Sequence, residues 1–425
     1  MNLIKNCKLI IDGTLQNKTI VIENGKIAKI TSPSLIKTAD EIIEAKGLHA
    51  IPGAIDMHVH CREPGMTQKE DFRTASHAAA AGGVTTIIDM PNSNPPTTTK
   101  EALDQKRKLA EKCIIDFGFY MGATKDNHTD LKNAKNIAGV KIYMGSSTGS
   151  LLLTEEDALK KAFECGKTIM AHCENQQIIE ENTNKFIKNP NHQKIRPPEA
   201  AIKELQRAIS IARQTNARMH ACHITLADEA DIIAKNKQLM SLSSEVTPHH
   251  LLLTDENNPL TKVNPPLRTK KDLAALWQAA NNGTIDCIAT DHAPHLLYEK
   301  QKSYFECPSG VPGVQTMMPL MIDRVNKGMI SLPRLIQMTS LNPAKILKIK
   351  NKGQIQPGFD ADIAIVDMNK KKTIKNEQMK SKCEWTPFDG WKIKGEITKT
   401  ISRGETVFEN GEIIGHQGRE ITYEN

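Results

Sequence analysis

Short apolar runs alternate with helix-like segments through the middle of the chain. The runs are rich in β-branched residues and most end at glycine, proline or polar positions, which is typical of buried strands. Eight runs fit this description: "AIPGAIDMH", "VTTIIDM", "IIDFGFYMG", "AGVKIYMG", "KTIMAHC", "RMHACHI", "MSLSSEVTP" and "IDCIATDH". Helix-like segments lie between most of them, among them "KEDFRTASHAAAAGG", "TTKEALDQKRKLAEK", "TEEDALKKAFECG" and "PEAAIKELQRAISIARQT". Eight strands alternating with helices predict an α/β fold, a (β/α)8 barrel.

The two ends of the chain have a different pattern. Residues 1–49 contain "KNCKLIIDG", "KTIVIENGKIAKI" and "DEIIEAKGLHA", which alternate and break at turn residues, and the tail repeats this style in "ADIAIVDM" and "ISRGETVFENGEIIG". We therefore predict a small β domain built from both ends, residues 1–50 and 353–425, with the catalytic barrel at 51–352 between them. The polar segment 174–198, which follows the fifth strand, is expected near the barrel mouth.

Composition narrows the classes of partner. The 425 residues carry 56 basic against 49 acidic side chains, a net charge of +7 without any basic block, so we predict no nucleic-acid partner. The mild excess of positive charge is compatible with a small anionic substrate. Nine cysteines without a CxxC pair indicate reduced thiols and a cytoplasmic protein. No run of ~18 apolar residues occurs, so we predict no membrane span.

The stretch "IPGAIDMHVHCREPG" places polar residues at every second position after an apolar run. On a strand, alternate residues share a face, so Asp56, His58, His60 and Arg62 are expected to point together. Met57, Val59 and Cys61 would then point the other way, and Cys61 is interpreted as a packing residue. In a barrel, the end of a strand is where active sites are built.

Four other predicted strands also end in groups that can bind metals. Lys141 lies in "GVKIYMG", His172 in "IMAHCEN", and Asp291, His292 and His295 in "IATDHAPH". The remaining one of these strands, "MHACHIT", contains both His220 and His223. Spacing does not choose between these two histidines, although His223 is nearer the C-terminal edge of the strand. Each has an ordinary structural explanation by itself. Together they offer enough ligands for two divalent ions.

Lys141 is unusual in this set because an ammonium has no lone pair and is costly inside an apolar strand. A desolvated lysine can lose its proton and react with carbon dioxide. The product is a carbamate, an anionic group with two oxygens that can bridge two metal ions.

The chain resembles a known family, the dihydroorotases of the amidohydrolase superfamily, which are close to the hydantoinases and allantoinases. The resemblance covers nearly the whole length. It rests on "DMHVHCREPG", "MPNSNPP", "GVKIYMGSSTG", "AHCEN", "CHIT", "EVTPHHLLLT", "NPPLR", "DHAPH", "NPAKILKI" and "GQIQPGFDADIAIVD". It implies a metal-dependent (β/α)8 TIM barrel with a small β domain made from both chain ends.

The resemblance also implies roles for individual residues. One divalent metal would be held by His58, His60 and Asp291, and the other by His172 and His223. Carboxylated Lys141 would bridge them, although some dihydroorotases use an aspartate there, and zinc is the expected metal. Substrate contacts would come from the following residues: Arg62, Asn92, Asn264, His295, Ser309 and Gly310.

The implied activity is the reversible hydrolysis of dihydroorotate to N-carbamoyl-L-aspartate in pyrimidine biosynthesis. A hydroxide held by the two metals would attack the ring amide, and Asp291 would act as general base and then general acid. The partner would be a small-molecule substrate, and a homo-oligomer is possible.

Two alternatives stay open. The first is another cyclic amidase, an allantoinase or a hydantoinase/dihydropyrimidinase. The second is an inactive structural partner of a pyrimidine-pathway enzyme, which would be expected to lack metal ligands. Arg62 bears on the first choice: it is either a structural ion pair with Glu63 or Glu70, or a fork that grips the carboxylate of dihydroorotate.

Overall fold

The computed structural model describes residues 1–33, 39–146, 151–254 and 258–424, so the last three residues of "GVKIYMGSSTG" lie outside the described part. The strands are β1 (Asn2–Ile11), β2 (Thr14–Glu23), β3 (Lys26–Thr31), β4 (Glu41–Glu44), β5 (His49–Pro52), β6 (Ala54–Val59), β7 (Val84–Asp89), β8 (Asp116–Gly122), β9 (Gly139–Tyr143), β10 (Ile169–His172), β11 (Met219–Ala221), β12 (Leu242–Val246), β13 (Cys287–Ile288), β14 (Ile363–Thr373), β15 (Lys392–Ser402), β16 (Glu405–Glu409) and β17 (Glu412–Ile413).

The helices of the described residues complete the alternation. They are α1 (Phe72–Ala81), α2 (Lys100–Ala110), α3 (His128–Asn133), α4 (Glu156–Phe163), α5 (Gln176–Lys185), α6 (His192–Ile195), α7 (Pro198–Thr215), α8 (Ala227–Asn236), α9 (Pro248–Leu252), α10 (Lys270–Asn282), α11 (Leu297–Lys300), α12 (Met317–Asn326), α13 (Leu332–Ile336) and α14 (Asn342–Ile346). All four helices predicted from the quoted segments are present.

Strands β6 to β13 form one eight-stranded parallel sheet in chain order. The first and last strands also meet: Val59 pairs with His292 in a parallel bridge, and the backbone N–H of His60 donates to the carbonyl of His292 at 2.8 Å. The sheet is therefore nearly closed, and the predicted (β/α)8 barrel is confirmed.

The first barrel helix shows why the alternation folds in this way. Asp71 caps α1, since its carboxylate accepts from the backbone N–H of Thr74 at 2.9 Å. The buried face of α1 includes Phe72, Ala75 and Ala79. Small alanines let the helix lie close to β7, and Gly82 and Gly83 end it before that strand begins.

A second sheet has nine strands and comes from both ends of the chain. Its order is β17-β16-β15-β14-β5-β1-β2-β3, with β4 paired to β1. The antiparallel pairing of β5 with β14 joins the N-terminal and C-terminal contributions. The predicted small β domain from both ends is therefore confirmed.

The run "AIPGAIDMH" is divided between the two sheets. Gly53 separates β5 from β6, and a Cβ at this position would lie 2.3 Å from side-chain atoms of Thr85. Only glycine permits this close approach, so the chain can pass directly from one sheet into the other.

Side chains from several strands fill the barrel interior. Ile55 and Met57 belong to one buried cluster with Tyr120 and Met170, whereas Val59 and Cys61 pack in the larger cluster that contains Phe72. The expectation that Met57 shares a face with Val59 and Cys61 is wrong. The pairing of β6 with β7 shifts register between Asp56 and Val59, and such an irregularity reverses the alternation locally.

Two further observations concern the whole described chain. All nine cysteines are free and buried. In residues 1–33, 39–146, 151–254 and 258–424, no helix is both long and apolar enough to cross a membrane.

Candidate functional site

The carboxyl ends of the barrel strands bring together the predicted metal ligands. His58 lies near the end of β6 with His60 just beyond it, Lys141 lies in β9, and His172 ends β10. His223 and Asp291 follow β11 and β13. Every one of these side chains is buried except that of Asp291, which is 13% exposed.

His58 and His60 both point one ring nitrogen at the same carboxylate oxygen. Nε2 of His60 lies 2.9 Å from Oδ1 of Asp291, and Nε2 of His58 lies 3.3 Å from it. The other nitrogen of each ring is held from behind, since Nδ1 of His58 contacts Glu245 and Nδ1 of His60 lies 2.5 Å from Oδ1 of Asn92. With a metal ion bound, these acceptors would favour a proton on Nδ1 and would leave the Nε2 lone pair of each ring for the ion.

His172 and His223 form the second half of the site. Nδ1 of His172 lies 2.9 Å from Nε2 of His223, and Nε2 of His172 lies 3.1 Å from Oε2 of Glu174. Glu174 is itself held by Arg196. Nδ1 of His223 is buried without a hydrogen-bond partner among the described residues. Glu174 therefore orients His172 so that its Nδ1 faces His223.

Lys141 lies between the two halves. Its Nζ is 3.4 Å from Nε2 of His58 and 3.1 Å from Sγ of Cys222, and the residue is 1% exposed. In the described part of the chain, no carboxylate forms an ion pair with it. A buried ammonium without a counter-charge is costly, so this position calls for a chemical partner that the side chains do not provide.

Burial keeps several rings of the site neutral. Burial lowers the pKa of His60 to about 4, although its hydrogen bond to Asp291 opposes this effect. Burial also lowers the pKa of His172, and burial with the neighbouring charge of His172 holds the pKa of His223 well below its usual 6.5. Neutral imidazoles keep a lone pair available for a metal ion.

His58 and Asp291 are stabilised as a pair of opposite charges. Burial and Lys141 lower the pKa of His58, but Glu245 and Asp291 outweigh them and raise it to about 10. Burial raises the pKa of Asp291, but the charge of His58 and the hydrogen bond from His60 hold it well below the usual 3.8. Asp291 is therefore a carboxylate at neutral pH. A metal cation would take the place of the His58 proton.

Of the two histidines in "MHACHIT", the structure places His223 against His172. His220 is bonded instead through Nδ1 to Ser243 at 2.8 Å and through Nε2 to Glu245 at 3.2 Å. Glu245 thus holds both His220 and His58.

Sequence reasoning missed the orienting roles of Glu245 and Glu174. Glu245 stands near the end of the seventh barrel strand in "EVTP", and Glu174 stands two residues after His172. An acid at the end of a strand beside predicted histidine ligands was the signal that could have identified both residues.

Arg62 reaches the site from a turn and not from the strand face that was predicted. Strand β6 ends at Val59, and Arg62 has a left-handed φ of 58°. Its Nε donates to the carbonyl of Pro294 at 3.2 Å and one terminal nitrogen lies 3.0 Å from Nε2 of His295, while the other, Nη1, is buried without a partner among the described residues. A left-handed φ in a bulky residue costs free energy, which is typical of functional sites.

The alternative structural ion pair of Arg62 does not form. Glu63 pairs with Lys112 at 2.8 Å, and Glu70 contacts His292 at 3.3 Å and also Ser381. Across the described residues, no acid forms an ion pair with Arg62. Among the described residues, the guanidinium of Arg62 therefore has no opposite charge beside it, and its Nη1 has no hydrogen-bond acceptor.

The other predicted substrate residues lie on four separate segments. His295 is buried, and its Nε2 lies 3.2 Å from the carbonyl of Ser309. Gly310 follows with a φ of 135°, and a Cβ there would lie 2.6 Å from the carbonyl of Ala293. Oδ1 of Asn264 is buried without a partner in the described part of the chain. Asn92 lies against His60, with its Oδ1 2.5 Å from Nδ1 of that ring.

Among the described residues, three groups of side chains have the spacing of a metal site. Two share His58: one adds His60 and Asp291, and the other adds Cys222 and Glu245. The third group is Asp116, Asp360 and Asp362, which surrounds the ammonium of Lys352 at 2.7, 3.2 and 2.5 Å. Because Lys352 neutralises that cluster, the strand-end groups are the better candidates for a metal site among the described residues.

Comparison with known proteins agrees with this geometry. The model of the amidohydrolase family matches residues 49–407. A dihydroorotase from Methanosarcina acetivorans is 38% identical, and the match covers 98% of this chain and 94% of the relative. A dihydroorotase from Pyrococcus furiosus is 37% identical over 98% of this chain and 94% of its own.

Solved structures share the fold. The L-hydantoinase (dihydropyrimidinase) from Arthrobacter aurescens superimposes with a TM-score of 0.94 at 30% identity, covering 99% of both chains. The dihydropyrimidinase from Brevibacillus agri gives a TM-score of 0.91 at 27% identity, covering 100% of this chain and 99% of that one. The chain belongs to the amidohydrolase family and, within it, to the dihydroorotases.

Proposed function

We propose that this protein is a dihydroorotase, which hydrolyses the ring amide of dihydroorotate to N-carbamoyl-L-aspartate and closes that ring in the direction of pyrimidine biosynthesis. The observation that carries the proposal is the buried guanidinium of Arg62, which is 3% exposed and whose Nη1 has no hydrogen-bond partner among the described residues. Dihydroorotate has a carboxylate on its ring, and a guanidinium binds a carboxylate with paired hydrogen bonds.

The residues at the strand ends fit two divalent metal ions. One ion would be held by His58, His60 and Asp291, and the other by His172 and His223. Lys141, carboxylated to a carbamate, would reach both. The fit rests on the ring nitrogens directed into the site and on the buried ammonium without a counter-charge. Zinc suits mixed imidazole and carboxylate ligands.

Two bound divalent ions would supply a nucleophile from water at neutral pH and polarise the ring carbonyl. The chain's own groups do the remaining work. Arg62 and Asn264 bind the substrate and fix its orientation, with His295 beside them. The carboxylate of Asp291 takes up the proton released at attack and returns it to the leaving amide nitrogen.

Replacing Arg62 by methionine tests the substrate directly. The substitution keeps the apolar stem but removes the charge, so kcat/KM for dihydroorotate should fall by roughly 10²-fold or more, as the loss of a charge-assisted contact predicts. Metal content should not change, because Arg62 is not a ligand. Steady-state kinetics and elemental analysis of the purified variant measure both quantities.

A matched control is Arg207→Met. Arg207 pairs with Glu156 at 2.9 Å and with Glu204 at 3.0 Å on the outer helices, so its loss should leave kcat/KM near the wild-type value. Unchanged turnover of dihydroorotate in Arg62→Met would contradict the assignment of this residue.

A second prediction concerns Glu245, which holds His58 from behind. Glu245→Gln keeps the shape of the side chain but removes the charge that fixes the His58 ring. Metal affinity should fall by about 10- to 100-fold, as is usual when such a supporting carboxylate is lost. Competition with a chromogenic chelator measures the affinity. Glu396→Gln, which alters an ion pair of the small sheet, should bind metal as the wild type does; equal affinity in both variants would refute the role of Glu245.

A further inference from the structure

Lys300 is a buried cation that the proposed chemistry does not use. It ends helix α11, it is 0% exposed, and in the described residues no carboxylate forms an ion pair with it. Its Nζ donates to three backbone carbonyls: Lys262 at 2.9 Å, Pro308 at 2.9 Å and Gly310 at 3.0 Å. An ammonium has three N–H donors, and all three are used here.

These three carbonyls belong to the two segments that carry the proposed substrate residues Asn264 and Ser309. Pro308 and Gly310 flank Ser309, whose carbonyl lies 3.2 Å from Nε2 of His295. Lys262 lies two residues before Asn264 and accepts the backbone N–H of Gly310 at 2.9 Å. The ammonium of Lys300 therefore links the segment that carries Asn264 to the segment that carries Ser309.

Lys262 adds a second tether to the same loop. Its Nζ donates to the carbonyls of Tyr304 at 2.6 Å and Cys307 at 2.7 Å. The two lysines together hold the loop after α11 through main-chain carbonyls, whose positions do not depend on the side chains of the loop.

We propose that Lys300 is a positioning residue. It sets the spacing between the segment that carries Asn264 and the segment that carries Ser309 and Gly310, and thereby the affinity for the substrate ring. This inference rests on the proposed function, which assigns Asn264 to substrate binding, and on the family resemblance, which implies the same role for Ser309 and Gly310. Lys300 itself does not touch the metal-type ligands, so its loss should weaken the binding of substrate and transition state alike.

The environment of Lys300 also predicts a pH dependence. Burial lowers the pKa of Lys300 to about 7, with Cys307 opposing and Lys262 adding to the shift. The other groups facing it are His295 and His249, whose pKa values burial holds well below 6.5. Below pH about 7 the ammonium donates three hydrogen bonds, and above it the neutral amine has only two donors.

The test compares Lys300→Met with wild type on dihydroorotate. KM should rise by about tenfold or more while kcat stays within about threefold, which is the pattern for a lost uniform binding interaction. The wild-type KM should rise with pH through about 7, and this rise should be absent in Lys300→Met. Lys302→Met, an exposed lysine two residues away, should behave as wild type in both measurements.

If Lys300→Met does not fold, Lys300→Gln and Lys262→Met carry the test. Lys300→Gln keeps two donors, and Lys262→Met removes only the outer tether, so both should raise KM by less than the full effect. A kcat loss without a KM change, or a KM unchanged in every variant, overturns the positioning role. Failure of the wild type to turn over dihydroorotate would instead overturn the proposed function.

Discussion

Replacing Lys141 by alanine should remove most of the bound metal and nearly all turnover. The ammonium of Lys141 is buried next to His58 and has no acidic partner in the described part of the chain. As a carbamate it would instead present two anionic oxygens to the site. Alanine offers no ligand, so metal counted by elemental analysis should drop, and a short carboxylate in the buffer should restore part of the activity.

Two further measurements separate a ligand from a packing residue. A carbamate made from ¹³C-bicarbonate should give a carbonyl resonance in wild type that is absent from Lys141→Ala. Lys141→Met should also melt no lower than metal-free wild type, because it removes a buried, uncompensated charge and keeps the volume. A variant that retains both metals and full turnover would refute the assignment of Lys141.

Replacing Asp291 by asparagine should lower kcat by about 10²-fold or more while the protein stays folded, the range expected for a lost general base. Asp291 is ionised at neutral pH because His58 and His60 stabilise its charge, so it can accept a proton. Asparagine keeps a carbonyl oxygen near Nε2 of both rings but cannot carry the proton. Single-turnover kinetics across the pH range report the chemical step; near-normal rates throughout would show that another group moves the proton.

The barrel and the clustering of candidate ligands at its strand ends could be predicted because they depend on local pattern. Eight apolar runs between helical segments require strands buried on both faces, and the carboxyl ends of parallel strands meet at one end of a barrel. His58, Lys141, His172 and Asp291 therefore come together from their positions along the chain alone. Even the very short β11 and β13 were detectable, since the apolar runs around them are longer than the paired residues.

Other features depend on geometry that periodicity does not encode. A register shift in β6 separates Met57 from Val59, and a left-handed turn brings Arg62 to the site after the strand has ended. The choice of His223 over His220 depends on which ring faces His172. Glu245 could have been proposed from its strand-end position, but its pairing with both His58 and His220 depends on how the side chains face one another inside the barrel.

The fold itself does not distinguish dihydroorotate from uncharged rings, since the chain also superimposes on a hydantoinase and a dihydropyrimidinase with TM-scores above 0.9. What differs between these substrates is the ring carboxylate, which is present on dihydroorotate and absent from dihydrouracil, hydantoin and allantoin. A buried guanidinium that has no acidic partner, as Arg62 has none among the described residues, is unfavourable beside an uncharged ring and favourable beside a carboxylate.

The most direct measurement is kcat/KM of the metal-loaded wild-type protein on dihydroorotate, dihydrouracil and allantoin, taken side by side in one buffer. We expect hydrolysis of dihydroorotate to be faster by roughly 10²-fold or more than that of either uncharged ring, the factor assigned to the Arg62 contact. A preference for dihydrouracil or allantoin would contradict the proposed activity and would make this protein a hydantoinase-type or allantoinase-type cyclic amidase.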